Sequence, residues 1–291
     1  MLDFIVNPSA GGKQGKKINK CLSLVETRLK ERKVDYRIHH AEQLGQTTEL
    51  TKRLISDGAT DLVIMGGDGT LHAAINGFHS FNKVNMGIIA CGTGNDFATA
   101  IGIPQDPVKA VDIIIDGTAK HTDFMQMPGV RGLNVIGMGI DVDVLKRYES
   151  LKKKTKFGYT SCLIKTLFKF DYIDFDAELN GNVEHHNSFI AAVANGDRFG
   201  GGLKICPKAD PADGKLDFIA VKAIKKLAMI GAFIKLKAGK LLTLKQTTHK
   251  TTEKITVKTD IPYTVNVDGE LYDGIPFEIE VVSNTLKIYR P

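Results

Sequence analysis

Short apolar runs alternate with amphipathic stretches over the first half of the chain. The runs LDFIV, YRIHH, LVIMGG and MGIIACG have the length and composition of buried strands. Between the first two, in residues 15–32, apolar side chains recur every three or four positions and share one helical face (Ile18, Cys21, Leu22, Val25 and Leu29). Similar stretches run through Leu50 and Leu54 and onward from Thr70. This alternation predicts a parallel sheet covered by helices.

From about Arg131 onward the pattern changes to short runs in which apolar and polar residues alternate. These are FDAELN, SFIAAVANG, LDFIAV, EKITVKT, YTVNV and FEIEVV, and glycine, asparagine and aspartate separate them. The pattern favours an antiparallel sandwich or barrel-like domain, with helices around residues 142–166 and 224–242. Proline and glycine cluster near 125–132, so we predict domains at 1–128 and 129–291, and allow the last strand to pack back on the first domain.

Composition adds few constraints. The chain has 291 residues, 43% hydrophobic and 25% charged, as soluble globular proteins do. The first residues lack a signal peptide, and no apolar run approaches the roughly 20 residues that span a bilayer, so we expect a cytoplasmic protein. The four cysteines lie far apart without a CxxC pair and predict buried thiols rather than a zinc site or disulfides (Cys21, Cys91, Cys162 and Cys206).

The charge is moderately basic, at +6 with a pI near 9.0. This balance suits nucleic acid, anionic lipid or a polyanionic nucleotide, and does not choose among them. Lysines crowd into residues 146–156 and 222–242, and the second stretch mixes them with apolar residues (Leu227, Met229, Ile230, Phe233, Ile234 and Leu236). Such a helix would lie on an anionic membrane. A surface helix with a buried apolar stripe explains the pattern equally well.

The segment DLVIMGGDGT, residues 61–70, has the residue types of a phosphate-binding turn between a strand and a helix. Glycines Gly66, Gly67 and Gly69 permit left-handed or crowded backbone beside an anion, and Thr70 is predicted to cap the following helix. A carboxylate at Asp68 would repel phosphates unless a divalent cation lies between them, which indicates Mg²⁺. The alternative is a turn in which Asp68 only caps the helix.

Two further turns resemble this one. NPSAGG, residues 7–12, follows the first predicted strand, and CGTGNDF, residues 91–97, follows the fourth. Turns that leave parallel strands share the edge of the sheet where such folds bind ligands. The three turns are therefore expected to line one crevice.

Five motifs together resemble one family. NPSAGG, GGDGTL, GTGNDFA, PKADPADGKLD (207–217) and NVDGE (266–270) are similar, in order and spacing, to the motifs of the diacylglycerol kinase and sphingosine kinase superfamily, and most of all to bacterial soluble diacylglycerol kinases. The resemblance covers essentially the whole chain. It implies an α/β fold with an amino-terminal parallel-sheet domain like NAD kinase and 6-phosphofructokinase, and a carboxyl-terminal β-rich, sandwich-like domain that closes an interdomain cleft.

The resemblance also implies an ATP-dependent kinase whose acceptor is the hydroxyl of diacylglycerol or a related membrane lipid. The catalytic Mg²⁺ would be held through water by Asp68, Asp96 and Asp123, and the base would be Asp268 or Glu270. A structural Mg²⁺ would use the Asp213 side chain with the backbone carbonyls of Asp210 and Lys215. ATP would contact Asn7, Pro8, Ser9, Ala10, Gly11, Gly66, Gly67, Asp68, Gly69, Thr70, Leu71, His72, Thr93 and Asn95.

Each carboxylate also has a purely structural interpretation. Asp96 would cap a helix that begins at Phe97, Asp123 would end a strand, and DGE would be an ordinary hairpin turn. The Asp-Gly pair at Asp213 is a common turn as well.

The chain departs from the family pattern at three positions. His72 and Ala73 replace an Asn-Glu pair after GGDGT, and Ala41 stands where relatives often have threonine. Loss of one hydroxyl contact costs on the order of 1 kcal/mol. We interpret the departures as altered substrate or nucleotide handling, with a helix-surface position for His72 as the alternative.

Three functions remain open from the sequence. The leading hypothesis is a lipid kinase, cytoplasmic and peripherally associated with an anionic membrane, with a membrane lipid as its partner, no nucleic acid, and homodimerisation through an exposed edge as an option. The second is an NAD kinase-like enzyme, since that class shares GGDGT. The third is a nucleotide- or lipid-binding protein without turnover, which the departures at His72 and Ala73 favour.

Overall fold

The computed structural model describes residues 1–8, 15–43, 45–151, 156–167 and 169–291. These residues form two compact units. Unit 1 consists of Met1–Asp123 and Ser283–Pro291, and unit 2 of Phe124–Val282. The chain therefore enters unit 2 after Asp123 and returns to unit 1 for its last nine residues.

Unit 1 contains a six-stranded sheet and five helices among its described residues. The strands are β1 (Leu2–Val6), β2 (Tyr36–His40), β3 (Asp61–Gly66), β4 (Asn85–Ala90), β5 (Ala119–His121) and the last strand of the chain, β17 (Lys287–Tyr289). The helices are α1 (Lys16–Glu31), α2 (Gln46–Ser56), α3 (Asp68–Ile75), α4 (Asp96–Ala100) and α5 (Pro107–Asp116).

The sheet of unit 1 has the order β2-β1-β3-β4-β17-β5. Neighbouring strands from β2 to β17 run parallel, and β17 is antiparallel to β5. Strands β1, β3 and β4 are buried almost throughout, as expected for apolar runs covered on both faces. Their carboxyl ends lie side by side, which places the first residues after them, Asn7, Gly67 and Cys91, along one edge.

Unit 2 contains eleven paired strands and three α-helices among its described residues. The strands are β6 (Phe124–Met127), β7 (Val130–Gly132), β8 (Val135–Gly139), β9 (Ile173–Leu179), β10 (Asn182–Ala194), β11 (Leu216–Lys222), β12 (Thr247–Thr252), β13 (Lys254–Lys258), β14 (Thr264–Val267), β15 (Glu270–Asp273) and β16 (Phe277–Val282). The helices are α6 (Ile140–Glu149), α7 (Lys156–Leu167) and α8 (Lys226–Lys237), and a 3₁₀ turn covers Leu241–Thr243.

All strand pairs of unit 2 in the described residues are antiparallel, and β10 is central. It pairs first with β9 and then, after an irregularity between Ser188 and Ile190, with β8 and β11. Alternate residues of β10 enter two cores. Ala192 and Ala194 face α6, α7 and α8, whereas Ala191 and Val193 pack with the other strands. This two-sided burial explains the long apolar run in its second half.

The predicted fold class is confirmed, because unit 1 has a parallel sheet and unit 2 an antiparallel one. Three details differ from the prediction. The helical stretch at 142–166 is two helices, α6 and α7, and the stretch at 224–242 is α8 with a 3₁₀ turn. Strand β12 has the polar sequence TTHKTT, whose lack of apolar alternation predicts no strand. It forms by pairing with β11.

Helices long and apolar enough to cross a bilayer are absent from the described part of the chain.

Candidate active site

The residues that directly follow β1 and β4 are hydrogen-bonded to β3 and to the helix that follows it. The Asn7 amide donates to the Met65 carbonyl over 3.2 Å, and the Cys91 amide donates to the Gly66 carbonyl over 2.7 Å. The side chain of Asn7 also donates to Thr70 Oγ1 over 3.2 Å. The carboxyl ends of β1, β3 and β4 are thus tied into one surface.

Gly67 and Gly92 allow the second and third turns to touch. A Cβ atom on Gly92 would lie 2.5 Å from the Gly67 Cα and 2.7 Å from Asn95 Oδ1. Real Cβ atoms do not approach that closely, so a side chain would force the turns apart. Neither glycine has a left-handed backbone, and crowding alone explains why glycine occupies them.

Asp68 and Asp96 both direct an oxygen toward Gly94. A Cβ on Gly94 would lie 2.7 Å from Asp68 Oδ2 and 3.5 Å from Asp96 Oδ2. Two carboxylate oxygens beside one glycine suit a hydrated divalent cation, because Mg²⁺ keeps several waters and binds proteins through one or two carboxylates. The residues present therefore fit the metal that the sequence predicted.

The neighbouring Asn95 has a left-handed backbone, at φ 56°, and is buried. Its Nδ2 donates to the Gly92 carbonyl over 3.2 Å and to Gln105 Oε1 over 2.9 Å. Its Oδ1 is buried and has no hydrogen-bond partner among the described residues. A left-handed non-glycine residue with an unpaired buried acceptor is typical of a ligand-binding position.

Two predicted helix caps are wrong. Helix α3 begins at Asp68, so Thr70 lies inside it rather than at its cap. Asp68 accepts a hydrogen bond from the Phe97 amide over 3.3 Å, and so caps the neighbouring α4. Asp96 is the first residue of α4, because that helix begins one residue earlier than predicted.

His72 is buried in α3, at 4% exposure, so the alternative of a helix-surface position is wrong. Its Nε2 lies 3.5 Å from Asn76 Nδ2, within the same helix. Ala41 is buried too, and its amide donates to the Val6 carbonyl. These departures from the family pattern are thus built into the packing of unit 1.

The other residues of unit 1 that the sequence predicted as site residues differ in their burial. Asp123 is buried at the last residue of the first segment of unit 1. Thr93 is exposed in its turn, Gly69 is exposed within α3, and Leu71 is buried. Ser9, Ala10 and Gly11 lie outside the described residues, whereas Pro8, just before them, is half-buried.

Lys17 is a neighbour of these turns that the sequence interpretation missed. Its Nζ donates to the Gly92 carbonyl over 2.7 Å, from the first turn of α1. A lysine at the start of the helix after a glycine turn was the available signal. Its charge would favour an anion beside the turns.

In unit 2, the NVDGE motif forms a two-residue hairpin between β14 and β15. Asp268 and Gly269 both have left-handed backbones, at φ 54° and 97°, as a tight turn of this length requires. The Asp268 carboxylate accepts three backbone hydrogen bonds, from Leu133 over 2.6 Å, Asn134 over 2.9 Å and Val135 over 3.0 Å. It therefore anchors the hairpin to β8. Glu270, the next side chain, is exposed.

Asn266 joins this hairpin to a buried carboxyl group. Its Oδ1 accepts from the Gly269 amide over 2.8 Å, and its Nδ2 donates to Asp141 Oδ2 over 3.1 Å. Asp141 Oδ1 is buried without a hydrogen-bond partner among the described residues. Burial raises the pKa of Asp141 to about 6, although Asn266 and nearby backbone amides oppose the shift.

Among the described residues that line an apolar cavity, Asp141 is the one that carries a charge. The space between the lining side chains is narrow and measures ≈ 480 Å³ with its mouth included. The remaining lining residues are apolar: Ile140, Leu163, Leu167, Phe189, Ile190, Phe199, Leu203, Ile205, Met229, Ala232, Phe233, Leu236 and Leu241. The sequence interpretation missed this site, although an aspartate within the apolar run GMGIDVDV was a signal.

The predicted structural metal site is an exposed turn. Asp213 Oδ1 accepts from the Lys215 amide over 2.9 Å, and Asp210 Oδ1 accepts from the Ala212 amide over 3.1 Å. The Asp213 amide faces the Asp210 carbonyl at 3.4 Å. These are the local hydrogen bonds of ordinary aspartate turns.

Two protein families match successive parts of the chain. Residues 2–127 match the diacylglycerol kinase catalytic domain, and residues 134–290 match the YegS C-terminal NAD kinase beta sandwich-like domain. A protein from Xanthomonas campestris pv. campestris named "Probable lipid kinase YegS-like" is 29% identical, over 90% of this chain and 89% of its own length.

Solved structures share the fold. A diacylglycerol kinase from Bacillus anthracis str. Sterne superposes with a TM-score of 0.79 at 23% identity, over 100% of this chain and 96% of its own. An NAD kinase from Archaeoglobus fulgidus, solved in complex with ATP, superposes with a TM-score of 0.56 at 15% identity, over 99% and 92%.

Proposed function

Because the chain belongs to the lipid kinase family that joins a diacylglycerol kinase catalytic domain to a YegS C-terminal domain, we propose that it transfers the γ-phosphoryl group of ATP to the hydroxyl of diacylglycerol or a related lipid, with Mg²⁺. One observation carries the choice of acceptor. The apolar cavity of unit 2 is joined through Asp141 and Asn266 to the DGE hairpin.

The turns of unit 1 would bind the nucleotide. Gly66, Gly67 and Gly92 let the second turn pack closely against Thr70 and the third turn, and Lys17 adds a positive charge beside them that would attract phosphates. The unpaired Asn95 Oδ1 would accept a hydrogen bond from the nucleotide. Alignment and charge neutralisation are the main demands of phosphoryl transfer, which these groups supply.

Asp68 and Asp96 would hold the catalytic Mg²⁺ through its waters, with Asp123 as the third carboxylate of the family pattern. When bound, the cation would neutralise charge on the transferred phosphoryl group. Without it, two carboxylates beside phosphates would repel the nucleotide. In the turn of Asp210, Asp213 and Lys215, the proposed structural Mg²⁺ would take the place of hydrogen bonds that the turn now makes internally.

Glu270 is the better candidate for the base. Asp268 already accepts three backbone hydrogen bonds, so its oxygens orient the hairpin. Glu270 follows immediately on β15 with an exposed carboxylate that can take the proton of a lipid hydroxyl. Asp268 would then be a positioning residue.

A lipid acceptor would occupy the apolar cavity with a hydrocarbon chain. Helix α8 lines that cavity with Met229, Ala232 and Leu236 on one face, while Ile230 and Ile234 are 40% and 63% exposed on another. The exposed isoleucines would insert into a membrane surface, and lysines of the same helix would bind its anionic head groups. The same helix would then serve both membrane contact and lipid binding.

Transfer of label from γ-labelled ATP to lipid in mixed micelles tests the proposal. The wild type is expected to label diacylglycerol or another hydroxyl-bearing lipid of a panel, and to require Mg²⁺. Asp68→Ala and Glu270→Gln are expected to lose roughly 100-fold or more of that activity, whereas Glu278→Gln, an exposed glutamate on β16, retains it. Formation of NADP from ATP and NAD without lipid labelling would refute the proposal, as would full activity in Asp68→Ala.

A further inference from the structure

Three side chains that the proposed kinase site does not use converge in unit 2. They are Cys206, Asp217 and His249, and one donor atom from each lies within 4.8 Å of the other two. His249 Nε2 is 2.5 Å from Asp217 Oδ1 and 3.8 Å from Cys206 Sγ. Cysteine, histidine and aspartate together form a ligand set suited to a transition metal.

The strands hold two of these residues in place. Asp217 on β11 pairs with Thr251 of β12, and His249 pairs with Ile219, so Asp217 and His249 are diagonal neighbours on one face of the ladder. Cys206 comes from the loop before β11, where its amide donates to the Asp197 carbonyl and its carbonyl accepts from the Ala209 amide. Rigid elements thus position all three donors.

The direction of the donors separates a metal site from a catalytic triad. In a nucleophile–His–Asp relay, the nucleophile and the aspartate contact opposite nitrogens of the imidazole ring. Here the Cys206 sulfur and the Asp217 oxygen both approach the same nitrogen, Nε2 of His249. Such an arrangement does not suit proton relay from sulfur to carboxylate, but it brings three potential metal ligands within 4.8 Å of one another.

The spacing is close to that of zinc. A tetrahedral Zn²⁺ with bonds of about 2.3 Å to sulfur and about 2.0 Å to nitrogen or oxygen separates its donors by roughly 3.3–3.6 Å. The sulfur–nitrogen distance already matches within a few tenths of an ångström. The nitrogen–oxygen pair needs to open by less than about 1 Å, which rotation of the half-buried imidazole supplies.

Two of the three donors are buried, so the site is open to solvent mainly on the side of His249. Cys206 is fully buried and Asp217 is 6% exposed, whereas the His249 side chain is 25% exposed. An ion would enter along the imidazole and keep a water as its fourth ligand. The cysteine sulfur selects against Mg²⁺ and Ca²⁺, which prefer oxygen.

We propose that Cys206, Asp217 and His249 form a Zn²⁺-binding site, separate from the carboxylates assigned to Mg²⁺. The ion would fasten the loop that carries Cys206 to strands β11 and β12. This inference stands independently of the lipid kinase proposal, since neither the cavity nor the DGE hairpin supplies a ligand.

Calorimetric titration of the chelator-treated full chain with ZnCl₂, in excess Mg²⁺, tests the site. The wild type is expected to bind one equivalent. Cys206→Ser, Asp217→Asn and His249→Gln are each expected to weaken binding by at least about tenfold, the loss that even outer partners of a metal produce. Cys21→Ser and His185→Gln are matched controls with a half-buried thiol and an exposed imidazole elsewhere, and both should bind as the wild type does.

Equal Zn²⁺ affinity in the wild type and the three ligand variants would overturn the proposal, as would absence of binding to the wild type. A second measurement avoids dependence on variant folding. Wild-type protein loaded with Co²⁺ should show thiolate-to-metal charge-transfer absorption, and a spectrum without that band would also overturn the site.

Discussion

Asn266 donates a hydrogen bond to the buried carboxyl group of Asp141, although 125 positions separate them in the chain. The amide is the one side-chain donor to this carboxyl group in the described hydrogen bonds, and the other described residues of the cavity lining are apolar. Asp141 also lies in the first turn of α6, where the helix dipole favours its charged form by about 0.3–1 kcal/mol. Burial outweighs both effects and raises the pKa of Asp141 to about 6.

Stability should therefore depend on the ionisation of Asp141. The pKa of the carboxyl group is raised in the folded protein above its ordinary value of 3.8, so protonation of Asp141 stabilises the fold. This stabilisation is complete below about pH 3.8 and is lost as the pH rises to about 6. Asp141→Asn should be more stable than the wild type at neutral pH by up to about 3 kcal/mol, at 1.36 kcal/mol per unit, and equal to it near pH ~4.

Urea unfolding across this pH range measures the difference. Asp143→Asn, an exposed aspartate on the same helix, is the control and should change the free energy of unfolding little. A constant difference between Asp141→Asn and the wild type from acid to neutral pH would contradict the prediction.

Replacement of Asp268 should cost stability, because its carboxylate accepts three backbone hydrogen bonds. In Asp268→Asn, an NH₂ group faces at least one of those amide donors, and an unsatisfied donor costs about 1–3 kcal/mol. Glu270→Gln should unfold as the wild type does, since that side chain is exposed. Chemical denaturation distinguishes the two variants, and wild-type stability in Asp268→Asn would show that the hairpin is anchored by other contacts.

Local patterns explain what the sequence could predict. Strands β1, β3 and β4 are continuous apolar runs that end in glycine turns, so both their existence and the shared edge followed from short segments. The contacts of Asp141 with Asn266, and of Cys206 with His249, join residues 125 and 43 positions apart. The spacing of residues in the sequence does not predict contacts between such distant positions. The cysteines lie far apart without a CxxC pair, so the sequence indicates no zinc site.

Two other features depend on tertiary packing. The sequence TTHKTT becomes β12 because β11 offers it a hydrogen-bonding edge, since its own residues carry no apolar alternation. The carboxylate of Asp68 caps α4, because the close contact of Gly67 with Gly92 brings the two turns together. Neither partner can be identified from one segment of the sequence alone.

Substitution of Gly92 tests that close contact. In Gly92→Ala the new Cβ would lie 2.5 Å from the Gly67 Cα, so the two turns must separate. We expect a loss of about 1–3 kcal/mol in unfolding free energy from overpacking, with weaker ATP binding. Gly231→Ala in α8 is the matched control. Apart from its chain neighbours and the backbone of its own helix, no described atom lies within 4 Å of its Cβ position, and alanine should stabilise that helix by about 0.5–1 kcal/mol. Thermal unfolding and nucleotide titration measure both, and normal ATP affinity in Gly92→Ala would separate the contact from nucleotide binding.

The exposed isoleucines of α8 provide the test of membrane contact. Ile230 and Ile234 are exposed while other residues of the same helix line the apolar cavity. Replacing both with asparagine should leave the free energy of unfolding nearly unchanged, yet weaken binding to phosphatidylglycerol vesicles by at least tenfold, because burial of each isoleucine contributes about 1.5–3 kcal/mol. Added salt should weaken wild-type binding further, since lysines contribute to it. Val183→Asn removes an equally exposed aliphatic side chain, 64% exposed on β10, and should bind vesicles as the wild type does. If cosedimentation shows equal binding for the double variant and Val183→Asn, α8 is not the membrane-contacting helix and its isoleucines serve another purpose.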